Sequence, residues 1–228
     1  MEALLQEILK HPKVEQKHNS REKILQRIAA VSSSRGERQP QFDPEFSNEV
    51  IYQPIAPDPV RCFKNELEAI SGKCFVFETD RELYDRLARF LNERGLKNIF
   101  CNDQNIVDKL TERGITFSSG KDDFTSVEVG ITPCECLVAR TGSAIVSSLT
   151  SGGRQLHVFP PVHIVVARAT QITSYIDDAL SFIKQKYGNT LPSAITLITG
   201  PSRTADIEKT LVLGAHGPKE FIVFLTSK

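Results

Sequence analysis

From Cys74 onward, short apolar runs alternate with amphipathic stretches of helical period, and this alternation restricts the fold more than any other property of the chain. Cys74-Phe75-Val76-Phe77 precedes Thr79-Asp80-Arg81-Glu82, which has capping-box spacing, and then Leu83, Leu87, Phe90 and Leu91 run up to Gly95. Ile99-Phe100-Cys101 followed by Asp103, Ile106, Val107 and Leu110 repeats the pattern before Gly114, and Ile115-Thr116-Phe117 reads as a third strand. Strands separated by helices of this length pair in parallel, because parallel neighbours need a long return connection. The expected class is α/β.

Between Phe124 and Val166 the pattern changes. Leu137-Val138-Ala139, Ala144-Ile145-Val146 and Ile164-Val165-Val166 are β-like runs joined by Gly- or Pro-rich turns and by no helix, so the expected sheet is mixed, mostly parallel and flanked by helices. Ser174 reads as the cap of a helix carrying Ile176, Ala179, Leu180, Ile183 and Tyr187, with Gly188 at its end. Ala194 to Ile198 reads as a buried strand, a helix is expected to reach about Leu211, and Phe221 to Leu225 closes the sheet. Ahead of this α/β domain, placed at 61–228, residues 1–35 carry the helical patterns Leu4/Leu5/Ile8/Leu9 and Ile24/Leu25/Ile28 and read as an N-terminal helical arm. Residues 36–60, with Pro40, Pro44, Pro54, Pro57 and Pro59, read as a linker or extended strap.

The charges exclude one class of partner. Twenty-eight basic and 28 acidic side chains cancel, and no run of five like charges occurs, so the footprint of a general nucleic-acid binder is missing. No apolar stretch approaches the ~18 residues of a membrane helix and no small-residue cleavage site follows the start, so the expected location is the cytoplasm, away from membranes. The five cysteines, Cys62, Cys74, Cys101, Cys134 and Cys136, are an odd number and are expected to be reduced. Cys134-Glu135-Cys136 has a one-residue spacing, whereas zinc and iron–sulfur sites usually show two-residue or wider spacings repeated at a second place, so no metal is expected on this chain.

The turn after Ile198 is the most informative for function. Gly200 permits close approach of a ligand, Pro201 stiffens the turn, Ser202 and Thr204 supply hydroxyls, and Arg203 supplies a cation for carboxylate or phosphate. The same residues also suit a plain helix start, with Ser202 as cap and Asp206 and Glu208 favouring the dipole. Thr141-Gly142-Ser143 suits a hairpin turn, as does Ser151-Gly152-Gly153. Arg154, His157 and His163 would add a cationic wall and two groups titrating near neutrality, and the Gly214-Ala215-His216-Gly217-Pro218 loop frames one imidazole. These segments are expected to converge on a small-anion pocket at the carboxyl edge of the sheet, where open α/β sheets bind ligands.

Taken together, Thr141-Gly142-Ser143, the Arg154 to His163 stretch, the nonapeptide from Gly200 to Glu208 and the His216-Gly217-Pro218 loop resemble the LUD-domain family, of the lactate-utilization protein C (LutC/YkgG) type. The resemblance covers residues 141–218 and departs from the family at Arg140, where members often carry an acidic residue. It implies a fold similar to the NagB/RpiA/CoA-transferase group. It also implies an accessory role in oxidising L-lactate to pyruvate, beside an iron–sulfur LUD-domain protein and a cysteine-rich oxidoreductase-like protein whose clusters carry the electrons. The chain itself has no Cys-x-x-Cys-x-x-Cys run to hold a cluster. Two other readings stand beside it: a stand-alone isomerase-, ligase- or transferase-like enzyme acting on a phosphorylated or CoA-bearing substrate, and a small-ligand sensor or scaffold.

Overall fold

The segments that read as strands assemble into two sheets rather than one. The computed structural model describes residues 16–34, 55, 57–118, 126–204, 212–214 and 216–227. Its helices are α1 (Gln16–Ser34), α2 (Pro59–Ala69), α3 (Asp80–Glu93), α4 (Gln104–Thr111) and α5 (Ile176–Tyr187). Its strands are β1 (Lys73–Phe77), β2 (Ile99–Cys101), β3 (Val129–Pro133), β4 (Cys136–Val138), β5 (Ser143–Ser147) and β6 (Val162–Arg168), followed by β7 (Ile172–Thr173), β8 (Ile195–Ile198), β9 (Arg203–Thr204), β10 (Val212–Leu213) and β11 (Glu220–Thr226).

The larger sheet has the order β1-β11-β6-β3-β2 and is parallel throughout. α3 and α4 cover one face, where Leu87, Leu91, Ile106 and Leu110 meet Val129, Ile131, Ile164, Ile222 and Phe224. The other face packs on α2 and on the second sheet, joining Val165, Phe221, Val223 and Leu225 to Phe63, Leu67, Leu137 and Val146. Burial on both sides explains the unbroken apolar runs of β6 and β11. Each fully buried Leu, Phe or Val contributes about 1.5–3 kcal/mol. The second sheet, β7-β4-β5-β8, pairs β5 antiparallel with β4 and β8 and β4 parallel with β7, and α5 covers its outer side at Cys136, Val138 and Ile145.

Five expectations change. Ile115 to Phe117 forms no strand: the Ile115 N–H closes the end of α4 on the Leu110 carbonyl at 3.1 Å and its side chain enters the core. β8 is an edge strand with Ile195 and Leu197 exposed, not a buried strand of the parallel sheet. Ser202 caps no helix: Arg203 and Thr204 form β9, which pairs antiparallel with β10, and the rest of the expected helix, Asp206 included, lies outside the described residues. Tyr175, not Ser174, caps α5, with the Asp178 carboxylate accepting from the Tyr175 N–H at 3.0 Å. β11, expected to close the sheet, lies between β1 and β6.

The chain divides into two compact units, Met1–Gln53 and Pro54–Lys228. In the first, α1 takes in the Ile24/Leu25/Ile28 pattern and begins earlier, within the polar stretch before it, while the Leu4 to Leu9 pattern lies outside the described residues. In the second, Asp58 caps α2 with Pro59 at its first position. No helix among the described residues is long and apolar enough to cross a membrane.

Candidate functional site

β3, β6 and β11 run in parallel, so Pro133, Arg168 and Thr226 end at the same edge of the sheet. Residues two apart share a face, so these three side chains lie on the side covered by α3 and α4. Both helices also begin there. The Thr79 hydroxyl caps α3 by accepting from the Glu82 N–H at 3.2 Å, and the Asp103 carboxylate caps α4 by accepting from the Ile106 N–H at 3.0 Å. The space left between helix starts and strand ends is a cleft of 260 Å³ lined by Asp80, Tyr84, Asp103, Asn105, Arg168 and Thr226, with Pro133, Val166 and Ile106 as apolar wall. Open parallel sheets bind ligands in this position.

The cleft is charged and partly pre-ordered. Asp80 Oδ2 accepts from Lys109 at 3.0 Å and from Arg168 at 3.2 Å. Burial pushes the Asp80 carboxyl up, but the hydrogen bonds and charges of Lys109 and Arg168 outweigh it and hold the group below its ordinary value. Gln171 accepts from the Arg168 N–H at 2.9 Å and donates to the Cys134 carbonyl at 2.8 Å, fixing the strand end. Thr226 is buried, and its Oγ1 has no hydrogen-bond partner among the described residues. Beneath the cleft, burial pushes the Cys101 thiol up to about 12, so it stays protonated. No nucleophile stands beside a base here, and the arrangement is suited to binding.

Among the described residues, none of the candidate ligand-binding residues expected from the sequence lines this cleft. Ser202 and Arg203 lie instead at the amino edge, because β8 belongs to the second sheet and its chain direction says nothing about the first. The Arg203 guanidinium donates to the Ile70 carbonyl, and to Ser71 Oγ at 2.7 Å, two residues before β1 begins. Ser71 holds a left-handed φ of 68°, so Arg203 braces a strained corner. The Ser202 N–H donates to the Pro218 carbonyl at 2.8 Å and its carbonyl accepts from the Gly214 N–H at 3.0 Å, which commits the loop and removes the expected helix start. Gly217 packs on Ser202, Pro201 is buried, and His216 is exposed. Of Thr204 only its place in β9 is described.

Thr141-Gly142-Ser143 is a connection between antiparallel β4 and β5, as a turn reading allows. Gly142 has φ 60°, and a Cβ there would stand 2.2 Å from the Leu67 nitrogen, so the turn is what lets α2 approach. The Ser143 hydroxyl bonds Thr141 Oγ1 at 2.7 Å and Thr199 Oγ1 at 2.8 Å. Arg154 donates to the Ser193 carbonyl at 2.9 Å. His163, the second residue of β6, is fully buried with Nε2 2.9 Å from Thr132 Oγ1. Burial, then the neighbouring His157, depresses His163 to about 3, and burial lowers His157 as well. His163 is therefore not the neutral-range titrating group expected from the sequence, and His157 is shifted in the same direction, since desolvation disfavours the charged ring.

A further cluster escaped the sequence reading. The Glu135 side chain is buried, with Oε1 accepting from Ser147 Oγ at 2.5 Å and Tyr187 OH at 2.8 Å, and Oε2 from Lys186 Nζ at 2.7 Å. Burial raises the carboxyl and these three partners more than offset it, so it stays ionised and pins α5 to the second sheet. Only its position between Cys134 and Cys136, opposite to the apolar run, hinted at it. The cleft residues had a simpler sign: Asp80, Asp103, Arg168 and Thr226 stand at or within three residues of the ends of apolar runs.

The sequence model of one family, described as the LUD domain, matches residues 60–226. Lactate utilization protein C of Bacillus subtilis is 29% identical over 239 residues, covering 91% of this chain and 96% of that protein. An uncharacterized protein of Neisseria meningitidis serogroup B is 35% identical over 100 residues, 44% of this chain and 42% of that protein, so this match spans under half of either. The crystal structure of a DUF162 family protein from Deinococcus radiodurans superposes with a TM-score of 0.57 at 16% identity, covering 76% of this chain and 99% of that one, which shows a shared fold.

Proposed function

The chain belongs to the LUD-domain family, and on that premise we propose that it serves lactate utilization as an accessory subunit beside an iron–sulfur LUD-domain protein and a cysteine-rich oxidoreductase-like protein, with a small-anion site at the carboxyl edge of its parallel sheet. The observation that carries the reading is the similarity to lactate utilization protein C of Bacillus subtilis over nearly the whole of both chains. Cysteine chemistry supports assigning the electron carriers to partners. A cluster needs thiolates, yet burial pushes the Cys74, Cys101 and Cys136 thiols up to about 12. Cys134 and Cys136 also face different cores, one toward the parallel sheet and one toward α5. The residues present do not fit a cluster.

A stand-alone enzyme on a CoA-bearing substrate has less support, because the carboxyl-edge cleft sets no nucleophile beside a base among the described residues. The test is isolation of the tagged chain from its native cell under anaerobic conditions. Co-elution with iron-containing protein that shows cluster absorbance is expected; recovery of the chain alone and colourless rejects the accessory reading.

A further inference from the structure

We propose that the carboxyl-edge cleft binds a small carboxylate carrying a second oxygen, with Arg168 holding the carboxylate and Thr226 the second oxygen. The proposal rests on the anion-site reading above and gives that site its residues and its ligand class. Four observations carry it. First, natural proteins rarely leave a buried hydroxyl without a partner, and Thr226 Oγ1 is such a group in the wall of an open cleft. Second, Arg168 gives Nη2 to Asp80, while Nε and Nη1 make no bond among the described residues, so guanidinium N–H groups remain to donate to a carboxylate oxygen. Asp80 is thus a positioning residue: it accepts from Arg168 and Lys109 through Oδ2 and holds the guanidinium over the cleft.

Third, Arg168 and Thr226 are register partners on adjacent parallel strands, which stand about 4.8 Å apart, so a ligand touching both needs only a few atoms. Val166, Pro133 and Ile106 supply an apolar wall for a short hydrocarbon part. Fourth, the charges select a monoanion. Arg168 and Lys109 balance Asp80 and Asp103, and the starts of α3 and α4 add about half a positive charge each, or about one in all. A phosphate dianion exceeds that sum and meets two carboxylates.

The experiment is calorimetric titration of the isolated chain with L-lactate, propionate, pyruvate and inorganic phosphate. Wild type is expected to bind L-lactate and pyruvate about tenfold or more tightly than propionate, which has the same carbon count and no second oxygen, and more tightly than phosphate. Arg168→Gln weakens all three carboxylates about tenfold or more. Thr226→Val brings lactate and propionate to within about twofold of each other and raises the thermal midpoint of the unliganded chain, because it removes an unbonded buried hydroxyl. Equal binding of propionate and lactate by wild type, preference for phosphate, or no binding of any probe overturns the proposal. So does a Thr226→Val chain that keeps the lactate preference, whatever its midpoint. The titration uses no partner protein, so its failure removes the ligand assignment alone, whereas failure of the anaerobic co-purification removes the accessory reading alone.

Discussion

The two edges of the parallel sheet use the same kinds of residue to opposite ends. At the amino edge the Arg203 Nη2 group holds a helix end, Ser202 and Gly217 meet a facing loop, and His163 bonds a core threonine through Nε2 while its Nδ1 stays enclosed without a partner among the described residues. At the carboxyl edge Arg168 and Thr226 retain unused hydrogen-bonding capacity beside an open cleft. Residue type therefore does not separate a lock from a site; the separation lies in what the polar atoms face, packed backbone at one edge and an open cleft at the other.

The contrast breaks most visibly at Gly142. Gly142→Ala is expected to cost about 3 kcal/mol or more in urea unfolding, since the new Cβ meets α2 backbone at 2.2 Å and φ is 60°. A loss below about 1 kcal/mol would mean that the amino-side packing is not fixed as described. Acid comes next. His163 is neutral when folded, at about 3, while the unfolded ring titrates near 6.5, so stability is complete above pH 6.5 and falls as pH drops toward 3. Its share at pH 4.5 is about 2–3 kcal/mol, and His163→Gln should flatten that slope in melts across pH 7 to 4.5.

Arg203→Ala is expected to cost about 1–2 kcal/mol and to leave carboxylate binding unchanged, the reverse of what an anion-binding arginine would show. If binding falls and the thermal midpoint holds, the amino edge is the site after all. The smallest effect sharpens the comparison: Arg168→Ala should shift stability by no more than about 0.5 kcal/mol, because its ion pair with Asp80 is exposed to solvent. Equal destabilisation by the two arginine variants would erase the distinction between the edges.

Local chemistry was legible in the sequence where it is decided locally. The Thr79 cap, the α3 stripe, the Asp103 cap and the parallel pairing all follow from spacing, and all are present. Partnership between distant strands was not legible. Ala194 to Ile198 is as apolar as a central strand, yet it lies at an edge, and nothing in its own residues records that β5 rather than β6 takes it. Placing β8 in the parallel sheet put Gly200 and Arg203 at its carboxyl edge, whereas the structure sets Arg203 against Ile70 and Ser71 at the amino edge. Asp206 lies outside the described residues, so its part in that step is undescribed. Glu135 was missed because a buried carboxylate is identified by its partners, and Lys186 and Tyr187 are about fifty positions away.

β11 lies between β1 and β6, and this ordering sets a timetable for synthesis. On the ribosome β1 emerges early and stays without its ladder partner until residues 220–226 have been added, so that neither Phe75 nor Val165 can be covered by its final neighbours. Loop closure over that length must be met before any pairing offsets it, which makes the sheet a late and slow event. The α3–α4 side can gather first from local contacts. The cleft, whose floor includes Thr226, is then among the last parts of the molecule to exist.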